Sequence, residues 1–364
     1  MESPKNAKIP VGVVGATGLA GQQLLMALLE HPLFEVRRLA ASARSAGKRF
    51  GEALRTAQGG SRWHASPLPP AAFADLEVED AATFDPQGLG LVFTAVDGEA
   101  ARAIEERLAA QVPVVSTASA FRYEEDVPLI LPAVNPGHLE LLEVQRVRRG
   151  WKGFVAPIPN CTTTGLAITL APLVERFGVR RVFMTSLQAV SGAGRSPGVV
   201  ALDVVDNVIP FIPQEEEKVE RETRKILGKP GGAGIQPHAM QLSATCTRVA
   251  VLDGHTESVS VELERKASPG EVAEALRSWK GALGPEKLPS APASWILVHE
   301  DPYRPQPRLD REAGEGMTTS VGRIRGERPF ESGVKYLLVS HNTKAGAGKG
   351  AVLLAELLAA RGLL

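Results

Sequence analysis

At 364 residues the chain is longer than one typical domain and has room for two, each with its own core. Lysine plus arginine and aspartate plus glutamate balance at 41 each, which excludes a global field for nucleic acid or an anionic membrane but leaves room for a local anion site. The 44% apolar and 23% charged residues are those of an ordinary globular protein, and two cysteines, Cys161 and Cys246, are too few for a disulfide framework and fit a reducing compartment.

No apolar run reaches the roughly 18 residues of a membrane-spanning helix. The segment Met1–Lys5 leads into a strand-like run without the apolar core of a signal peptide, so the expected location is cytoplasmic. The first 160 or so residues alternate strand-like and helix-like segments. Apolar runs at Ile9–Val14, Phe34–Ala40, Gly90–Thr94, Pro113–Ser116 and Phe154–Ile158 predict strands, and Gln22–Leu29 and Glu99–Ala110 predict helices. Short buried strands alternating with helices predict an α/β domain with a parallel sheet covered on both faces. Gly47–Ala74, rich in Gly, Ser and Pro, predicts mostly loop.

From Arg181 the strand-like runs lengthen and alternate, at Arg181–Val190, Thr245–Leu252 and Glu257–Leu263, with helices at Gln214–Leu227 and Pro269–Trp279. This texture predicts an α+β domain whose sheet keeps one face exposed or at an interface. Asp253-Gly254 between two of the runs predicts a two-residue hairpin turn. In that hairpin Leu252 would face His255, with Arg248 on the same face roughly 13 Å of strand away from Leu252. The last helix, Ala347–Ala360, is expected to pack back onto the first domain.

Gly15-Ala16-Thr17-Gly18-Leu19-Ala20-Gly21 joins the first strand to a helix. Glycines there let the backbone turn tightly and approach a pyrophosphate seated on the helix N-terminus. The spacing is GxxGxxG, a variant of the dinucleotide-binding loop, and a plain Gly-rich turn is the bland alternative. After the second strand the chain reads Ser42-Ala43-Arg44-Ser45-Ala46-Gly47-Lys48-Arg49, without the carboxylate that binds a free ribose 2′-hydroxyl. Hydroxyls and cations suit a 2′-phosphate, so NADP is expected, with Ser42, Arg44 and Ser45 as contacts.

Pro159-Asn160-Cys161-Thr162-Thr163 lies between an apolar strand and the helix pattern Leu166–Phe177. A cysteine at a helix N-terminus gains thiolate stabilisation from the macrodipole, and free N–H groups there can hold an oxyanion. On its own, a cysteine is equally explained as a small buried hydrophobe, and that is the expectation for Cys246. The seven histidines show no metal-ligand spacing, so no metal is expected. His138, in Asn135-Pro136-Gly137-His138 at a helix start, reads as structural.

These runs in this order resemble the aspartate-β-semialdehyde dehydrogenase family, particularly its archaeal and fungal-like branch. The likeness includes Gly15–Gly21, Pro159–Thr163, Gln188–Gly194, Asn207–Ile212, Glu215–Lys218, Arg248–His255 and Ser340–Thr343. It implies a Rossmann-type dinucleotide-binding domain over residues 1–158, with the helix of 343–364 packed back on it. A catalytic and dimerisation domain would span 159–342. The implied reaction is reversible, NADP-dependent reductive dephosphorylation of L-aspartyl-4-phosphate to L-aspartate-4-semialdehyde, in biosynthesis of lysine, threonine and methionine.

The resemblance also implies roles. Cys161 would be the nucleophile, His255 the acid/base catalyst and Gln188 the orienting residue. Arg248 would hold the substrate carboxylate, Glu215 its amino group, and Lys218, Arg122 and Asn160 the phosphate. Gly15, Thr17, Gly18, Leu19, Ala20 and Gly21 would contact the cofactor, joined by Ser191, Gly192 and Asn342. Partners would be the small-molecule substrate and inorganic phosphate, in a homodimer or homotetramer joined through the second sheet. A thiolate is a good acyl carrier, a histidine near neutrality moves protons, and a guanidinium grips a carboxylate with parallel bonds. Glu215 and Lys218, three apart on a helix, are equally explained as a solvated ion pair.

Lys344–Gly350 departs from the family's usual Arg-Gly-Ala-Ala pattern and lacks the Lys-Ser/Thr ending of a phosphate loop. N-acetyl-γ-glutamyl-phosphate reductase shares the glycine loop and a run like Ser191–Arg195, but differs around the nucleophile. Malonyl-CoA reductase is nearer still, and a catalytically silent NADP-binding sensor is the alternative from another class.

Overall fold

A computed structural model describes residues 7–65, 68–96, 98–193, 201–232, 234–284 and 286–364. The first sheet contains β1 (Ile9–Val14), β2 (Phe34–Ala41), β3 (Val78–Asp80), β4 (Leu91–Thr94), β5 (Val114–Ser116) and β6 (Val155–Pro157). Its order is β3-β2-β1-β4-β5-β6 and every pairing is parallel, the doubly wound dinucleotide-binding arrangement. The helices that follow in the chain are α1 (Leu19–Leu28), α2 (Phe50–Ala53), α3 (Gly98–Ala109), α4 (Leu141–Arg149), α5 (Cys161–Phe177), α6 (Ala201–Val204), α7 (Glu215–Ile226), α8 (Pro269–Ser278), α9 (Pro307–Asp310) and α10 (Gly348–Ala360).

Strand alternation sorts the first domain's core into two layers. Val13, Phe93, Val115 and Ala156 face α1 and α10, while Val14, Val92, Val114 and Val155 face Ile104 and Leu108 of α3. The last helix does fold back, since α10 packs against α1 and β5. The loop-like stretch 47–74 includes α2 and a short 3-10 turn at Ala71–Phe73, and the three-residue β3 carries too little periodicity to be read from sequence.

The second sheet joins β7 (Val179–Gln188), β10 (Gln241–Arg248), β11 (His255–Leu263), β12 (Ile296–Val298), β13 (Thr319–Gly326) and β14 (Gly333–Ser340), with β8 (Lys229–Gly231) and β9 (Gly234–Gln236) forming a separate hairpin. Its order is β10-β7-β11-β14-β13-β12. One face packs on α5, while the other holds exposed residues such as Phe183 and Leu187, as the alternation of β7 from Val182 to Gln188 predicts. β10 lies at an edge, and α7 satisfies two of its free donors: Glu220 Oε1 accepts from the Ala244 N–H at 3.1 Å and Glu216 Oε1 from the Cys246 N–H at 2.9 Å.

The expected hairpin at Asp253-Gly254 is not formed. β7 lies between β10 and β11, parallel to the first and antiparallel to the second. The strand ends at Arg248, and Val249–Gly254 crosses the end of β7, where Val251 and Leu252 accept from the Val190 and Ser191 N–H groups at 2.8 and 3.2 Å. Leu252 is 70% exposed and does not face His255. The turn dipeptide reports local backbone freedom only, with Gly254 at φ +93°, and strand order is set by which faces are buried.

Candidate active site

Register brings the site together. Arg248 pairs with Gln188, Thr256 with Leu187 so that His255 falls beside Gln188, and His255 with Ser340. Arg248, Gln188, His255 and Ser340 thus form one row across four neighbouring strands, all buried on the face beneath α5. Arg248 and His255 share that face as expected, though by strand insertion and not by a hairpin.

Cys161 opens α5, and Asn160 caps it through Oδ1, which accepts from the Thr162 and Thr163 N–H groups at 2.8 and 3.3 Å. Cys161 Sγ lies 3.3 Å from His255 Nε2. On the other side of the ring, the Ala189 N–H donates to His255 Nδ1 at 3.1 Å. A backbone amide donates only, so this bond places the neutral imidazole's proton on Nε2, pointed at the sulfur. Burial, reinforced by Arg248 and His341, takes the His255 pKa down to about 3. Burial, then Glu215, pushes the Cys161 thiol up to about 12, while Arg122 and Arg248 act against that rise.

Glu215, at the start of α7, is buried and forms no ion pair with Lys218, so the solvated-pair alternative does not hold. Its Oε1 accepts from Asn160 Nδ2 at 3.0 Å, Gln188 Nε2 at 3.1 Å and Thr162 Oγ1 at 3.2 Å. One turn on, Lys218 is half-buried and stands apart from this network. Arg122 donates to Glu222 Oε1 at 3.0 Å and to the Thr117 carbonyl at 2.8 Å, and Glu222 Oε2 accepts from the Asn160 N–H at 2.6 Å. Arg248 Nη1 donates to the Ala189 carbonyl at 2.7 Å. Asn342 accepts from the Gly254 N–H and donates to Ser191 Oγ, both at 2.8 Å. Gly194 and Arg195 lie outside the described residues.

Two glycines are explained by close approach. A Cβ on Gly192 would stand 2.9 Å from Arg248 Nη1 and 3.1 Å from His255 Cε1, and one on Gly346 would stand 2.7 Å from the Cys161 Cβ. The glycine-rich run before α10 is therefore a packing surface over Cys161. At the cofactor end, Gly15 has φ +91° and a Cβ there would meet the Ala95 carbonyl oxygen at 2.1 Å. Gly18 caps α1 without a side chain, so the first-turn N–H groups of Leu19, Ala20 and Gly21 are free of a capping group. Ser42, Arg44 and Ser45 follow the end of β2, beside β1, with Arg44 exposed and Ser45 buried.

Sequence reasoning missed residues whose roles depend on distant partners. Gln22 donates to the Thr17 carbonyl at 3.0 Å and the Arg62 carbonyl at 2.9 Å and accepts from the His64 N–H at 2.7 Å, fastening the glycine loop. Lys225 Nζ donates to the carbonyls of Arg122, Glu124 and Val127 at 2.9, 2.8 and 2.7 Å, tying α7 to the first domain. His138 is held by Asn135 and the Gly228 carbonyl, in keeping with its structural reading. Cys246 is fully buried in β10, as a small hydrophobe would be.

Comparison with known proteins places this architecture first in a class. Residues 10–142 match the semialdehyde dehydrogenase NAD-binding domain and residues 170–344 the semialdehyde dehydrogenase dimerisation domain. The aspartate-semialdehyde dehydrogenase of Archaeoglobus fulgidus is 47% identical over 351 residues, covering 96% of this chain and 97% of that protein. That of Saccharomyces cerevisiae is 41% identical, covering 97% and 98%. A crystal structure of the Candida albicans enzyme with NADP superposes with a TM-score of 0.86 at 38% identity, covering 98% and 100%. The chain belongs to the aspartate-semialdehyde dehydrogenase family.

Proposed function

We propose that the chain catalyses the reversible, NADP-dependent reductive dephosphorylation of L-aspartyl-4-phosphate to L-aspartate-4-semialdehyde through a thioester on Cys161, as a step in biosynthesis of lysine, threonine and methionine. The observation that carries this reading is Cys161 at the N-terminus of α5, 3.3 Å from His255 Nε2 and bordered by buried Arg248 and Glu215. The glycine cradle at Gly15, Gly18 and Gly21 with the free N-terminus of α1 fits a dinucleotide, and the carboxylate-free Ser42–Ser45 segment fits NADP. NADP supplies the hydride acceptor in the oxidative direction and the hydride in the other. Ser191, Gly192 and Asn342 are assigned to its nicotinamide side.

In the oxidative direction the Cys161 thiol releases its proton to solvent and the thiolate attacks the aldehyde carbon, so that the C–S bond forms as the carbonyl π pair becomes negative charge on the oxygen. The Nε2–H of His255 and the N–H of Cys161 itself, which opens α5 ahead of the capped Thr162 and Thr163 N–H groups, stabilise that oxygen. Loss of hydride yields the thioester, and phosphate displaces the thiolate to give the acyl phosphate. Arg248 is assigned to the substrate carboxylate and Glu215 to its amino group; Lys218, Arg122 and Asn160 are assigned to phosphate, with Gln188 orienting Glu215. Burial, the largest cause of the depressed His255 pKa, remains when substrate binds, while a carboxylate on Arg248 would offset the smaller share that this cation contributes.

The division at residues 158/159, with 343–364 returning to the first domain, rests on the two separate sheets and on the packing of α10 against α1. Assembly as a homodimer, or a tetramer of two such dimers, is supported by the half-exposed second sheet and the matched dimerisation domain. Among the described residues no helix is long and apolar enough to cross a membrane, in keeping with a cytoplasmic site of action. A steady-state assay with aspartate semialdehyde, NADP and phosphate, omitting each in turn, tests the reaction. Dependence on all three supports it; equal turnover with malonyl-CoA or N-acetylglutamate semialdehyde in the matching assays, or NADP binding without turnover, would refute it.

A further inference from the structure

β11 carries a second buried acid that the mechanism above does not use. Glu257 lies two residues beyond His255 on the same inward face, registered with Ser186 on β7 and Leu338 on β14, and has no exposed surface. Both its carboxyl oxygens are buried without a hydrogen-bond partner, whereas Glu105, Glu262 and Glu286 each leave only one oxygen in that condition. A carboxylate in that position has no donor to hold its charge, so the uncharged acid is the stable form.

The titratable groups facing it are Glu215 from α7, Cys246 from β10 and Tyr336 from β14. β7 presents Ser186, and the only titratable residue of α5 before Glu175 is Cys161. None of these is a cation. Burial, then Glu215, pushes the Glu257 carboxyl well above the usual range.

We propose that Glu257 is a positioning residue that works uncharged, adding no anion to the Glu215 and Glu222 carboxylates already bonded to Asn160 beside Cys161, and that loss of its proton disables the site at alkaline pH. The proposal rests on the roles assigned above to Cys161 and Glu215. Two adjacent buried carboxylates cannot both stay ionised cheaply. If the second charge forms, it opposes the thiolate and the oxyanion. A neutral amide in place of the acid avoids that outcome.

The test compares wild type with Glu257→Gln. Infrared difference spectra at neutral pH should show a protonated-carboxyl C=O band that the variant lacks, and in wild type this band should fade as activity falls on the alkaline side. The kcat/KM of the variant should stay within about threefold at neutral pH, and its profile should extend further into the alkaline range. The difference between the profiles cancels titration of the substrate. No band difference, coincident alkaline limbs, or a loss of about a hundredfold at neutral pH with thermal stability retained would each overturn the proposal. The infrared comparison of wild type with Glu257→Gln needs no turnover, so it remains decisive if the proposed reaction fails.

Discussion

Charge placement around Cys161 makes its reactivity adjustable one residue at a time. Its thiol is pushed up to about 12, first by burial and next by Glu215, with Arg122 and Arg248 opposing. The thiolate fraction of the free enzyme should therefore grow about tenfold per pH unit across the neutral range, and the rate of iodoacetamide alkylation should follow it without a plateau near pH 7. Glu215→Gln removes an anion and should speed alkylation at neutral pH by about tenfold while impairing turnover; Arg248→Met should slow it. Gly192→Ala places a methyl group against Arg248 and His255, and should lower kcat/KM by about a hundredfold with little change in thermal stability. An alanine variant with wild-type kinetics would remove the close-packing explanation. The strand–helix junction singled out Cys161 but explained it equally as a small buried hydrophobe, so its assignment, like those of Gln188, Arg248 and His255, came through family resemblance. Glu257 and Lys225 gave no signal because burial and partners up to 103 residues apart, as for the Lys225 bond to the Arg122 carbonyl, define them.

Among the elements, those with their own periodicity were read nearly to the residue, as for β1, α7 and α8. Their order in the second sheet was not, since Asp253-Gly254 carries the chemistry of a hairpin turn but spans a crossover with β7 inserted. Alternation identifies the buried face of each strand without naming its neighbour, which is why the shared face of Arg248 and His255 survived the wrong connection. The Asn160 cap has both structural and functional consequences. Asn160→Ala removes acceptors for the Thr162 and Thr163 N–H groups and a donor to Glu215. The expected cost is about 1 kcal/mol, a fall of about 2–4 °C in Tm by calorimetry, together with a larger loss of activity as Glu215 is released. An unchanged Tm would mean that water replaces the cap.

At the scale of the whole molecule, the second sheet presents one face to the site and the other outward. Phe183 is 51% and Leu187 37% exposed on that outer face, one residue out of phase with the inward Gln188. Phe183→Lys should shift the protein toward monomer in light scattering at low micromolar concentration, and an unaltered mass would move the interface elsewhere. Two separate sheets were foreseeable from the change in texture near residue 180, but the way α5, α7 and the glycine-rich run before α10 converge on Cys161 was not, because it depends on packing between distant segments. The central claim is that this convergence makes Cys161 an acyl carrier whose release requires phosphate. A rapid-mixing experiment with aspartate semialdehyde and NADP tests this most directly. Without phosphate, NADPH should form in a single burst equal to the active sites, with an acyl adduct on Cys161 by mass spectrometry, and added phosphate should restart turnover. Continuous turnover without phosphate, or a burst with no adduct on Cys161, would contradict it.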